Sequence, residues 1–204
     1  MTGIAFQPYI GPAYRASAVR LLILGESHYG TPDPTEQVDP ADPTRRVVRK
    51  WISRDWPVRY LTIAARIITG LEAGQIDRSR VFDAVALYNF IQFVMPHVGV
   101  RPSQEQAIVS GKSFLEVLAQ LDPTHVIATG QGFLWRGMPP TAATEDYVTV
   151  AGVSLPYREY PTPSGAARTM AIDHLSRASA PQWRPPVVEF LALPVLIRAY
   201  APAT

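Results

Sequence analysis

The sequence predicts an α/β domain, on three observations. Val19, Leu21, Leu22, Ile23 and Leu24 form a short apolar run that stops abruptly at Gly25. A second run, from His125 to Thr129, stops at Gly130, and between the two stand stretches with helical caps. Short apolar runs bounded by glycine suit buried parallel strands, and their alternation with helices gives the βαβ rhythm of an open sheet. In such sheets ligands bind in the crevice at the carboxyl ends of the strands. Glu26, Ser27, His28 and Tyr29, which follow the first run directly, are therefore the first candidates for chemistry.

The elements follow in order. Residues 1–18, with Pro8, Gly11 and Pro12, read as irregular, and the first strand occupies 19–24. Residues 31–43 carry four prolines among Asp33, Asp39 and Asp42 and read as an extended surface loop. Thr44 is the expected N-cap of a helix running to about Ser53, and Pro57 opens a second helix that Gly70 ends. A second strand is expected over 81–88, ending at Asn89. Ser103, with Gln106 three positions on, begins a helix that reaches Leu121. After the strand at 125–129, residues 131–136 begin a short helix that Pro139 and Pro140 stop. Residues 147–150 and 153–157 flank Ala151 and Gly152 as a hairpin. Residues 160–163 lead to a loop holding Asp173, His174, Leu175 and Ser176, and a last helix spans about 186–200.

Composition sets the outer limits. The chain has 204 residues, 47% of them hydrophobic, enough for one domain with a substantial core. With no cysteine it has no disulfide, thiolate metal site or cysteine nucleophile, and no cofactor or metal is expected. No stretch approaches the roughly 18 apolar residues of a membrane span, and the first 14 residues lack a signal-peptide plan, so a cytoplasmic protein is expected. The net charge is only +2, but the basic residues are arginines apart from Lys50 and Lys112.

Three strand ends converge on one rim: Glu26 to Tyr29, Asn89, and Gly130 with Gln131, joined late in the chain by His174. A carboxylate to hold water, an amide to read a planar ligand edge and a histidine to stabilise negative charge make a coherent hydrolytic set. Arg45, Arg46, Arg49 and Lys50, interleaved with Trp51 and Trp56, crowd the helix that follows Thr44. Helical spacing sets Arg45 beside Arg49 and Arg46 beside Lys50, two rows of like charge that would welcome phosphate or acidic neighbours. Gly111-Lys112-Ser113 imitates the end of a phosphate-binding loop, but Gln106 stands where the earlier glycine belongs. His97 and His125 read as structural.

The order of these pieces resembles the uracil-DNA glycosylase superfamily. The match lies in residues 24–29 (Leu-Gly-Glu-Ser-His-Tyr), 86–89 (Ala-Leu-Tyr-Asn), 126–135 and His174-Leu175-Ser176, with an aromatic-led helix near Trp183. The resemblance implies a three-layer α/β/α fold around a central, mainly parallel four-stranded sheet, and cleavage of an N-glycosidic bond on a flipped or single-stranded base. By the same resemblance Glu26 positions water, His174 stabilises the departing base, and Asn89 reads the base edge. Ser27, His28, Tyr29, Phe90 and Ser176 would line the pocket, with Phe90 or Trp51 stacking on the base. Arg45, Arg46, Arg49, Lys50 and Arg177 would contact a nucleic-acid backbone, DNA in preference to RNA, unless the ligand is a nucleobase-containing small molecule. His28 and Leu175 stand where that family has proline.

Two alternatives remain open. One is a non-catalytic nucleic-acid or nucleotide binder on the same fold. The other is an SGNH-type ester hydrolase, which Gly25-Glu26-Ser27 resembles, with Ser27 as nucleophile and Asp173 and His174 as late partners. Adjacent residues point in different directions on an extended chain, which weighs against that pair.

Overall fold

The computed structural model describes residues 3–30, 42–97, 99–141, 146–194 and 196–197. In chain order these form β1 (Tyr9–Ile10), β2 (Leu21–Gly25), β3 (His28–Tyr29), α1 (Pro43–Ile52), α2 (Arg59–Thr69), β4 (Val85–Asn89) and β5 (Val94–Met95). Then come α3 (Gln104–Leu121), β6 (His125–Thr129), α4 (Phe133–Gly137), β7 (Asp146–Val150), β8 (Val153–Thr162), β9 (Gly165–Ile172), α5 (Ala180–Leu191) and β10 (Leu196–Ile197).

The fold is α/β around a large mixed sheet ordered β1-β4-β2-β6-β9-β8-β7, with β10 also paired to β9. This corrects the expected four-stranded sheet. Four neighbouring strands, β4, β2, β6 and β9, are parallel, but β1 joins one edge antiparallel and β8 and β7 extend the other as antiparallel ribbons. The hairpin predicted about Ala151 and Gly152 is the β7–β8 turn, and it supplies the sheet's far edge.

Strand alternation decides how the helices pack. Leu21 and Ile23 enter one core with Val48, Trp51, Leu61, Ala65, Trp183 and Phe190, so α1, α2 and α5 cover that face. Leu22 and Leu24 enter the other with Phe114, Val117, Leu118, Leu134 and Trp135, from α3 and α4. Each fully buried aromatic here, such as Phe114 or Trp51, is worth about 3–5 kcal/mol against truncation to alanine. The capping box at the start of α3 forms as predicted: Gln106 N donates to Ser103 Oγ at 3.2 Å and Ser103 N to Gln106 Oε1 at 2.8 Å. Gly70, at φ 74°, ends α2 in the left-handed conformation that glycine adopts without penalty.

Other boundaries differ from the sequence expectation. Residues 81–84 are turn, because β4 begins only where it pairs with β2. The segment before β2 contains β1 and a 3₁₀ turn at Tyr14–Ala16. Asp42, not Thr44, precedes α1, with Pro43 at its first position. The last helix lies earlier than expected, over Ala180–Leu191. Of the proline-rich loop, residues 31–41 lie outside the described residues. Gly111-Lys112-Ser113 is interior to α3. No described helix is long and apolar enough to cross a membrane.

Candidate active site

Register brings the strand ends level. Gly25 pairs with Asn89 across β2 and β4, and Leu24 with Ala128 across β2 and β6. Thr129 pairs with Ile172, so Gly130 and His174 emerge on the same rim. Gly25 is glycine for a local reason: a Cβ there would lie 2.1 Å from Asn89 Oδ1 and 3.2 Å from the Tyr60 hydroxyl. The Asn89 side chain therefore lies across the end of β2. Two backbone bonds hold the loop beyond, Phe90 N to Gly25 O and Ile91 N to Glu26 O, both 2.9 Å.

Glu26 leans toward the end of β6, its Oε2 3.9 Å from the position of a Cβ on Gly130. Partial burial raises its carboxyl above the ordinary range, and the Arg101 guanidinium works against that shift. A half-buried carboxylate with raised basicity is suited to accept a proton from water.

His174 has a defined polarity. Its Nδ1 lies 2.7 Å from Ser176 Oγ and receives the Ser176 backbone N–H at 3.3 Å. A backbone N–H only donates, so Nδ1 is the acceptor and the neutral ring carries its proton on Nε2. Burial, and then the charge of Arg177, lower its pKa. The result is a neutral N–H donor, fit to stabilise a developing anion. Arg59 Nε fastens the loop by donating to Ser176 O at 3.0 Å. The Nδ1 partner is thus Ser176.

The remaining predicted residues divide. Ser27 Oγ is shielded from solvent and has no hydrogen-bond partner. It lies near the Tyr29 hydroxyl, whose pKa it pulls down against the larger effects of burial and Glu26, without closing to a hydrogen bond. Tyr29 is exposed at the mouth. His28 turns to α1: Nε2 lies 2.9 Å from Thr44 Oγ1, the ring packs edge-on to Phe6 at 5.5 Å, and burial lowers its pKa to about 4. It joins packing rather than the crevice.

Phe90 and Trp51 are buried in opposite cores, Phe90 edge-on to Phe114 at 6.0 Å and Trp51 tilted against Phe82 at 5.3 Å, so neither offers a stacking face. The basic rows on α1 are not unpartnered as expected. Arg49 pairs with Asp42, Arg45 reaches Asp42 at 3.6 Å and donates to Pro8 O at 3.0 Å, and Lys50 meets Asp55 at 3.6 Å. Arg46 lies over the Trp56 ring at 4.7 Å. Arg177 is exposed beside His174.

Sequence reasoning missed Tyr60, Thr129 and Arg101. Tyr60 and Thr129 meet through their hydroxyls at 3.0 Å, and the Tyr60 ring stands 5.9 Å from that of His174. Tyr60 was hidden because α2 reads as an ordinary amphipathic helix. Among the described residues no group of three or more histidine, aspartate and glutamate side chains could hold a metal ion.

Residues 61–142 match the family described as "Putative serine esterase (DUF676)". The chain is similar to an esterase family over two-fifths of its length. This match overturns the resemblance to the uracil-DNA glycosylase superfamily, and with it glycosidic cleavage and DNA repair, while hydrolysis as a reaction class stands with it. No curated protein matches the chain. The matched segment begins within α2, just after Tyr60, and ends after α4, so it includes Asn89, Thr129 and Gly130, while Glu26, Ser27, Tyr60 and His174 lie outside it.

Proposed function

We propose that the chain is an ester hydrolase on an α/β/α sandwich, working in the strand-end crevice through water held by Glu26, with His174 as donor to the oxyanion. The observation that carries it is the opposed polarity of the two groups: a carboxylate of raised basicity over Gly130, and an imidazole whose Nδ1 is committed to Ser176. The ester class rests on the family match. Water gives a proton to Glu26 as its oxygen bonds to the ester carbonyl carbon, and the carbonyl electron pair becomes an oxyanion that accepts from His174 Nε2–H. Collapse breaks the bond to the alkoxide, which takes the proton back from Glu26.

A second reading makes Ser27 a covalent nucleophile, favoured by its shielded, unpartnered Oγ. It needs a base, and His174 in its present tautomer is a donor instead. Purified protein would be assayed on short-chain p-nitrophenyl esters, with Glu26→Gln, His174→Gln and Ser27→Ala beside it. Loss of about a hundredfold or more in both Glu26→Gln and His174→Gln, with Ser27→Ala active, is expected. Phosphonate labelling of Ser27 together with an inactive Ser27→Ala would select the covalent reading. Full turnover in Glu26→Gln and His174→Gln would remove the site altogether.

A further inference from the structure

Tyr60, on α2, meets three parts of the crevice: Thr129, the end of β2 at Gly25, and His174. The Leu24 carbonyl only accepts, so the Thr129 hydroxyl donates to it at 2.9 Å. With that proton committed, Thr129 Oγ1 accepts at 3.0 Å from Tyr60, which is therefore the donor. The chain of donation runs one way, from α2 through the end of β6 into the backbone of β2. The same hydroxyl stands 3.2 Å from the place of a Cβ on Gly25, beside the Asn89 side chain. The ring meets His174 at 5.9 Å between centroids, tilted by 51°. One side chain thus contacts the ends of two strands and the late loop.

We propose that Tyr60 is the positioning residue of this crevice: its hydroxyl, tethered through Thr129 to Leu24, fixes its ring, and the ring fixes and shields the imidazole of His174. The tether matters because a tyrosine ring without it swings about χ1 and χ2, and the His174 ring would lose its wall on that side. Its consequence for turnover rests on the hydrolase reading above; its consequence for His174 does not.

The test is NMR titration of the His174 imidazole in the whole protein, for wild type, Tyr60→Phe, Thr129→Val, the double variant of these two, and Tyr60→Leu. Arg177, Asp173 and Arg59, the charged groups beside this loop, stay unchanged in all five, so their influence cancels. Tyr60→Leu removes the wall and is expected to bring the His174 midpoint up toward the ordinary 6.5, because desolvation is the larger cause of its depression. Both Tyr60→Phe and Thr129→Val cut the Tyr60–Thr129 bond, and Thr129→Val cuts the bond to Leu24 as well, so each is expected to give part of that rise and the double variant no more than the larger of the two. On an ester substrate Tyr60→Phe should lower kcat several-fold and leave KM within twofold. A folded Tyr60→Leu whose His174 midpoint matches wild type would overturn the proposal. So would additive shifts in Tyr60→Phe and Thr129→Val, which remain informative if Tyr60→Leu does not fold. If the titration behaves as expected but no variant, wild type included, turns over esters, Tyr60 keeps its role and the ester reading fails.

Discussion

Replacing Gly25 by alanine separates the site from the fold. The new Cβ would stand 2.1 Å from Asn89 Oδ1, short of the 3.4 Å at which ordinary contact begins by about 1.3 Å, whereas Tyr60 and Asn89 Cγ at 3.2 Å need give only about 0.2 Å. The backbone asks for no glycine, since Gly25 is not among the residues with positive φ. The obstacle is the far end of an asparagine side chain, which can turn away. Gly→Ala at a compatible position also gains about 0.4–1 kcal/mol by restricting the unfolded chain, so unfolding in urea should shift by no more than about 1 kcal/mol in either direction. Activity should respond far more. If the Asn89 amide, which lies across the end of β2, helps to hold the ester, moving it by about 1 Å costs on the order of a hundredfold, and kcat/KM on an ester substrate should fall by about that factor. The two measurements belong on one preparation. A folded Gly25→Ala that hydrolyses within twofold of wild type would refute the assignment of the Asn89 side chain to the site.

Gly11 gives the contrasting case. A Cβ there would meet the carbonyl oxygens of Phe82 and Asp83 at 2.0 and 2.3 Å, which are backbone and cannot turn aside. Gly11→Ala should cost about 1–3 kcal/mol or more in urea, and a neutral result would mean the 82–83 turn is not fixed. Acid should destabilise the protein through its neutral histidines. His28 and His125 are depressed to about 4 by burial, with Arg168 adding to the effect on His125. Their stabilisation is complete above the unfolded value of 6.5 and is lost as pH falls through that window toward 4. For His125, fully buried, this amounts to about 2 kcal/mol at pH 5, and for the partly exposed His28 to less. Glu26, raised by burial, acts in the opposite sense above 4.5. A urea midpoint that does not move between pH 7 and pH 5 would contradict the balance. Ser176→Ala removes the hydroxyl 2.7 Å from His174 Nδ1 but keeps the backbone N–H, so turnover should fall by less than about tenfold, against a larger loss in His174→Gln. Equal losses in the two variants would show that the hydroxyl alone sets the tautomer.

What was legible in the sequence was whatever local pattern decides. Leu21 to Gly25 and His125 to Thr129 are continuous apolar runs closed by glycine or followed by it, and the box of Ser103 and Gln106 fixes a helix start by itself. The strand-end rule then put Glu26 and Asn89 on the rim; His174 reads only as part of a late loop, because β9, whose end it follows, is not legible as a strand. β9 escaped because Gly165, Ala166, Ala167 and Ala171 have little intrinsic strand preference; only its place between β6 and β8 makes it a strand. β1 is two residues held by pairing Tyr9 with Leu87 and Ile10 with Ala86, a purely tertiary fact. Phe90 and Trp51 read as ligand faces because an aromatic residue near a site looks the same in sequence whether it points into the core or the crevice. The arginine rows of α1 looked unpartnered because Asp42, Asp55 and Trp56 reach them only once the helix ends fold back.

The family match and the site bear on each other through the serines of the matched segment. In a serine esterase of the α/β type the nucleophile stands on a tight turn from strand to helix, where its hydroxyl faces the crevice. The corresponding junction here, from β6 to α4, reads Gly130-Gln131-Gly132 and has no hydroxyl. The four serines of residues 61–142 are committed elsewhere. Ser79 donates to Asp77 at 2.6 Å and Ser103 caps α3. Ser110 Oγ accepts from Gln92 N at 3.1 Å, and Ser113 donates to Gly3 O at 2.5 Å. The matched segment therefore supplies the wall of the crevice without its attacking group. A side chain at Gly130 would begin 3.2 Å from Leu134 Cβ and 3.9 Å from Glu26 Oε2, so Glu26 borders that space. On the hydrolytic mechanism proposed above, a carboxylate so placed would hold water where an elbow serine would hold its own oxygen, and the attacking atom would come from the end of β2 instead of the end of β6. Any side chain at Gly130 meets its φ of 159° and Leu134 Cβ at 3.2 Å, so Gly130→Ala measures that strain alone; Gly130→Ser is then expected to turn over esters at least tenfold more slowly than Gly130→Ala, and a gain over Gly130→Ala with phosphonate labelling at the new side chain would show that the elbow position itself is the productive one.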